Sequence, residues 1–308
     1  MTVPTVLCRE IADHELGRVA RFLDRGFPRA AGEGWNFGRV LNVLARRRLQ
    51  PLLPRFGFML ESDGELVGAV LQMCTHMADG TPPQTRCAMS SWVVTPEFRP
   101  YAPLLAARAM RIPGATYLNM TPAAHTVPIL EAQGYQPLFH GRMITFPASG
   151  RVRERTVIRR FSPSADRSVL PALEWDLMAF HADCGCRCVT CDAGGGTYPF
   201  VFMLQSGRGP MRIAHLMYCR HIDDYARFSH PLARHMAPFG IAAVTVSSDA
   251  YIGGMRNVRD TGGAIYCKGP HPPRVGDLAY SERVFFGIAP RVSVVRTLLR
   301  SALRRHAI

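Results

Sequence analysis

Residues 90–110 read SSWVVTPEFRPYAPLLAARAM. A short apolar strand meets a Thr-Pro break at 95–96, then Arg99, then a helix rich in Ala and Leu. Strand, tight turn and helix start in that order can hold an anion, because the first N–H groups of a helix have no intrahelical partner. Such turns are usually rich in glycine, which lets a ligand approach the backbone. This one carries Pro100, Tyr101, Ala102 and Pro103. Proline has no N–H, so Pro100 and Pro103 each remove a donor, and both suit the first turn of a helix. Tyr101, Ala102, Leu104 and Leu105 keep theirs, and Arg99 adds a side-chain charge suited to phosphate. The other reading is a structural helix started by proline.

Upstream, TVLCREI (5–11) reads as a strand and residues 13–25 as a helix, with Leu16, Val19, Ala20 and Leu23 at helical spacing. A second helix centres on Val40, Leu41, Val43 and Leu44, and a hairpin follows, turning at Asp63-Gly64. Glu61 and Asp63 at that turn read as solvated. Downstream come the strand GATYLNMTP (114–122), a helix ending at Gly134, and a closing strand over 136–146. Residues 147–156, PASGRVRERT, are polar and small, and mark a domain boundary. The sequence therefore divides into a first lobe at 1–148, a second at 157–290, and a basic tail at 291–308. The second half repeats the element order, and DDYARFSHPLARHM places Tyr and then Pro-Leu-Ala before an Arg, much as EFRPYAPLLAARAM does. An internal duplication of about 150 residues follows from that repetition.

The 308 residues are enough for two domains, and 47% hydrophobic with 19% charged residues describes a globular chain with a core. No apolar run reaches the roughly 20 residues of a membrane span. The start, MTVPTVLCREIADHE, lacks a basic segment followed by an apolar one, so a cytoplasmic location is expected. The net charge is +14, yet of 37 basic residues only Lys268 is a lysine, and the arginines are scattered. No nucleic-acid recognition motif accompanies them, so nucleic-acid binding is disfavoured, and the charge suits a cofactor carrying several phosphates. The nine cysteines are expected to be reduced thiols. Four of them crowd into CGCRCVTC (184–191), which reads as one arm of a hairpin. Strand alternation puts Cys184, Cys186 and Cys188 on one face and Cys191 on the other, whereas a tetrahedral metal needs converging ligands. Buried thiols and no metal are expected. The tail places Arg296, Arg300 and Arg304 on one helical face, which fits either a docked helix or weak contact with an anionic membrane surface.

The first half resembles the GNAT superfamily of acyl-CoA-dependent N-acyltransferases. In that family a central strand ends in a pattern like V-x-P-x-x-[QR]-x-x-G-x-[GA], and Val94, Pro96, Arg99, Ala102 and Leu104 fall on those positions. A later helix ends in a pattern like L-[YE]-x-x-G-[FY], matched here by ILEAQGY with Glu131, Gly134 and Tyr135. The resemblance covers roughly residues 5–147, and reaches the second half only through the repeated order. The whole chain looks closest to two-lobed bacterial GNAT-like acyltransferases, some linked with polysaccharide biosynthesis. The resemblance implies an α+β fold, a mixed and mostly antiparallel sheet flanked by helices, duplicated as two lobes. It implies acetyl-CoA or another acyl-CoA as co-substrate, and a small-molecule or saccharide amine as the acceptor that attacks the thioester directly. The pantetheine arm would lie between two splayed strands, with the thioester oxygen on a backbone N–H of the fourth. Val93, Val94, Arg99, Tyr101, Ala102, Leu104 and Leu105 are the cofactor-binding candidates on that basis.

The attacking amine must lose a proton. The family often uses a Glu on the fourth strand and a Tyr on the last helix, but Ser90, Ser91 and Trp92 occupy the strand and Leu130 the helix. His125 at the start of that helix is a candidate base, and Asn119 a group to order water or substrate. Each also reads as an ordinary surface or strand-end residue, and His76 has no better claim. Two other classes stay open: a non-catalytic GNAT-like binding module, and a tandem-lobed transferase drawing on aminoacyl-tRNA, which would account for the charge. The second lobe shows no obvious base.

Overall fold

The computed structural model describes residues 5–27, 36–47, 52–77, 84–151, 154–164, 166–205 and 212–287. The tail at 291–308 lies outside them. Local chemistry sets the first elements. Strand β1 (Val6–Glu10) leads through a 3-10 turn to helix α1 (Leu16–Gly26). Helix α2 (Phe37–Arg46) is capped by Asn36, whose side chain accepts from the Arg39 N–H at 2.9 Å. Strands β2 (Gly57–Ser62) and β3 (Glu65–Met77) join at Asp63-Gly64, with φ of 50° and 82°, the doubly left-handed turn that a two-residue hairpin needs. Then follow β4 (Gln84–Val94), a 3-10 helix (Pro96–Tyr101), α3 (Ala102–Ala109), β5 (Thr116–Asn119) and α4 (Val127–Ala132). Gly134, with φ of 84°, ends the last helix as expected, its N–H on Glu131 O at 2.9 Å. The strand expected over 136–146 is two strands, β6 (Gln136–Phe139) and β7 (Arg142–Phe146).

The second half repeats this order with β8 (Val157–Arg160), α5 (Ala172–Asp183), β9 (Arg187–Ala193), β10 (Gly196–Leu204) and β11 (Arg212–Cys219). It continues with α6 (Ile222–Arg227), α7 (Ser229–Met236), β12 (Ile241–Ser247), β13 (Arg256–Asp260), β14 (Ile265–Lys268) and α8 (Glu282–Phe286). One sheet has the order β1-β2-β3-β4-β5-β14-β6, and the other β8-β9-β10-β11-β12-β7-β13. The plans are the same, and in each the sixth place is taken by the last strand of the other half. In the first sheet β1/β2, β2/β3 and β3/β4 pair antiparallel and β4/β5 parallel; in the second, β11/β12 is parallel and the other five pairings are antiparallel. The expected α+β class, a mostly antiparallel mixed sheet with helices in two copies, is the one the chain adopts.

By contacts the chain forms two units: residues 1–120, 267–272 and 280–286, and residues 121–266, 273–279 and 287–308. In the second unit Phe200, Phe202, Phe228, Leu232 and Val244 are buried around Tyr225, whose hydroxyl meets Thr145 Oγ1 at 2.7 Å. Among the described residues no helix is long and apolar enough to cross a membrane.

Three expectations are corrected. The cysteines are not all reduced, because Cys74 and Cys87 form a disulfide. The β3/β4 register sets them directly opposite, with Cα atoms 4.1 Å apart, the spacing of a close antiparallel pair. The strand of the cysteine cluster begins only at Arg187, so Cys184 caps α5 while Cys188 and Cys191 lie on β9. Burial pushes the thiols of Cys186 and Cys191 up to about 12. Finally, Glu61 is not simply solvated: it pairs with Arg9 at 2.6 Å and Arg18 at 2.9 Å.

Candidate active site

Strand β4 changes register part-way along. It faces β3 with Ser90 opposite Leu71 and Val93 opposite Ala69, so β4 carries one extra residue there. The extra residue forms a bulge, and Ser91 takes a φ of 55°, which a residue with a side chain seldom adopts. On its other side β4 pairs in parallel with β5 only through Arg86↔Thr116, Cys87↔Tyr117 and Ala88↔Leu118. Beyond Ala88 the two strands part. The Thr95 N–H donates to Val67 O at 2.9 Å, so alternation turns the Val94 N–H to the opposite edge. Among the described residues nothing bonds that outer edge of β4. The indole Nε1 of Trp92, at the bulge, is buried with no hydrogen-bond partner among the described residues. A buried donor without an acceptor costs about 1–3 kcal/mol, which a ligand carbonyl would offset.

The turn after β4 differs from the simple helix start read in the sequence. A 3-10 helix begins at Pro96, and the Ala102 N–H is already used within it, donating to Arg99 O. Phe98 N–H likewise bonds Thr95 O at 3.0 Å. Arg99 is exposed and has no ion-pair partner among the described residues. Tyr101 is half-buried with its ring 6.2 Å from that of Phe98. Val93 and Val94 are half-buried, Leu104 is exposed and Leu105 is fully buried, so the Leu105 side chain belongs to the core.

Asn119 ends β5, half-buried, with no side-chain hydrogen bond among the described residues. His125 is exposed on a 3-10 turn in the second unit, so the two are not brought into one unit. His76 Nδ1 lies 3.2 Å from Thr85 Oγ1 across the β3/β4 pair.

Helix α8 was not read from the sequence. It is only five residues long, too short for a helical period to show. It packs on α2 in the first unit, with Phe286 edge-on to Phe37 at 5.6 Å and the Arg47 guanidinium 5.2 Å from the Phe285 ring. Arg283 donates to Met120 O at 2.9 Å, just past β5. This helix therefore reaches from α2 to the end of β5 and buries Glu282. Glu15 is also buried in this unit, where Arg9 pairs with it at 2.5 Å.

No protein-family model and no curated protein sequence matches the chain. Solved structures do. A GCN5-related N-acetyltransferase from Anabaena variabilis aligns over 85% of this chain and 72% of its own, at 10% identity and a TM-score of 0.55. One from Kribbella flavida aligns over 86% and 71%, at 15% identity and a TM-score of 0.53. A probable N-acyltransferase from Enterococcus faecalis aligns over 92% and 74%, at 11% identity and a TM-score of 0.50. The chain has the GNAT fold. In its two copies of that fold, β4 and β11 hold the fourth-strand position. Among the described residues no group of three or more His, Cys, Asp or Glu could hold a metal. A cavity of about 530 Å3 in the second unit, lined by residues such as His230, Arg234, Met236 and Val244, contains no carboxylate or thiol.

Proposed function

We propose that the chain transfers an acyl group from acyl-CoA to an amine, and that the first lobe binds the thioester. The observation that carries this reading is the bulged β4, parted from β5 beyond Ala88, with an outer edge that is open among the described residues. Such an edge offers backbone N–H and C=O groups in register for a linear, amide-bearing arm such as pantetheine. The amine nitrogen attacks the thioester carbonyl carbon, the C–S bond breaks, and the CoA thiolate leaves to take up a proton. The charge that builds on the carbonyl oxygen would be met by the Val94 N–H, a fixed donor needing no reorganisation. Arg99 supplies charge for the phosphates, with Tyr101, Ala102 and Leu104 around them.

Glu282 is the carboxylate we assign to the amine proton, with Asn119 ordering a water or the acceptor. His125, the other candidate base of the sequence, is exposed and stands in the second unit. The acceptor is a small-molecule or saccharide amine.

A thiol-release assay over a panel of amines tests the reading. Expected is amine-dependent release of CoA, lowered about 100-fold in kcat by Glu282→Gln with little change in acyl-CoA affinity. Ala102→Glu, which sets a carboxylate beside the phosphates, is expected to abolish binding. Acyl-CoA binding without release to any amine would point to a non-catalytic module. Co-purifying tRNA with no affinity for CoA would point to an aminoacyl-tRNA donor.

A further inference from the structure

The two lobes repeat one plan and differ at one strand edge. Strand β11 is bulged as β4 is: Tyr218 faces Val201 and Leu216 faces Phe202, which leaves Met217 as the extra residue. Its parallel pairing with β12 ends at His215↔Thr245. Beyond that point the edge of β4 is open among the described residues, whereas the edge of β11 is filled. The Cys219 N–H donates to Gly276 O at 2.8 Å, the Leu278 N–H donates to Met217 O at 2.8 Å, and Tyr218 and Asp277 face each other as an antiparallel bridge. Arg274 Nε donates to Arg220 O at 2.9 Å. Residues 274–278 thus form a strap along the strand end, in the same unit as β11.

We infer that the second lobe takes no acyl-CoA, because this strap occupies the edge on which the cofactor arm would lie, and that the chain has one cofactor site. The inference rests on the proposal that the open edge of β4 is that site. Several contacts hold the strap in place. A Cβ on Gly276, whose φ is 83°, would stand 2.6 Å from Cys219 Sγ, so only glycine lets the backbones approach this closely. Arg274 pairs with the buried Asp277 at 3.1 Å and lies 5.6 Å from the centre of the Tyr218 ring. The Tyr218 hydroxyl donates to the buried Glu174 at 2.8 Å, and Arg220 grips the same carboxylate at 3.0 and 2.6 Å. The phosphate end is unsuited as well. The helix after β11 opens with Asp223 and Asp224, and the Asp224 carboxylate accepts from the His221 N–H at 3.2 Å. Two carboxylates at that helix start repel the pyrophosphate that a positive helix end would attract.

Calorimetry and hydrogen exchange on the full chain, with acetyl-CoA as probe, test this. Expected is one site per chain, removed by Ala102→Glu, with added protection in the peptide spanning 92–102. Peptides 216–220 and 274–279 should exchange slowly and ignore acetyl-CoA. Two sites per chain, or acetyl-CoA-dependent protection at 216–220 that survives Ala102→Glu, would overturn the inference and leave the acyltransferase reading intact. No binding at all would sink that reading. The strap is then judged alone: slow exchange at the Cys219 and Leu278 amides upholds it, and fast exchange overturns it. Gly276→Val should speed exchange across 217–219 while the first-lobe site still binds, and unchanged exchange there would contradict the strap.

Discussion

Arg9 binds two carboxylates at once, donating to Glu15 at 2.5 and 2.7 Å and to Glu61 at 2.6 Å. Those hydrogen bonds from Arg9, opposed by burial, lower the Glu15 pKa from 4.5 to about 2. A carboxyl depressed on folding adds stability above its unfolded value, and that stability drains away as pH falls through the folded value. The melting temperature should therefore fall between pH 4.5 and 2. Glu15→Gln should remove part of that slope and cost about 1 kcal/mol at neutral pH, Arg9 being a third exposed. Thermal unfolding across pH checks this, and an unchanged profile in the variant would refute the role given to the pair. At this scale the sequence was only partly legible. The Asp63-Gly64 turn and the Gly134 cap are set by local backbone chemistry and could be read directly. The left-handed Ser91 could not, since serine carries no sign of the bulge that its pairing with β3 imposes.

Most elements showed in the apolar spacing, but their partners did not. Strand β13 is RNVRD, polar enough to pass for a loop, and it is a strand because β7 lies beside it. The pairing of Cys74 with Cys87 follows from the β3/β4 register, which a composition argument about reduced thiols does not contain. Thiol titration of the denatured, unreduced chain should find seven reactive groups, the seven free cysteines, and nine after reduction. Nine before reduction would contradict the disulfide. The helix start at 99–105 was legible as a helix but not as a continuation of a 3-10 turn from Pro96, because both conformations accept prolines at those places. That difference matters for the proposed site: the Ala102 N–H is spent within the helix, so the proposal places the weight of anion binding on the Arg99 side chain.

Across the whole chain, duplication was readable from the order of elements and the shared Tyr and Pro-Leu pattern. Loss of symmetry between the copies was not. The strap at 274–278 is bound mainly through backbone groups, which leave almost no trace in side-chain identity apart from Gly276. The exchange of last strands, β14 into the first sheet and β7 into the second, is equally silent, because strand order is decided by pairing between distant segments. One fold copied twice, with a fourth-strand edge that is open among the described residues in the first lobe and filled in the second, is the basis of the proposed single thioester site. Native mass spectrometry of the intact chain titrated with acetyl-CoA tests this most directly. The expected result is one acetyl-CoA adduct per chain, absent in Ala102→Glu. A chain that stays unliganded throughout the titration, or one that takes up two adducts, would contradict it.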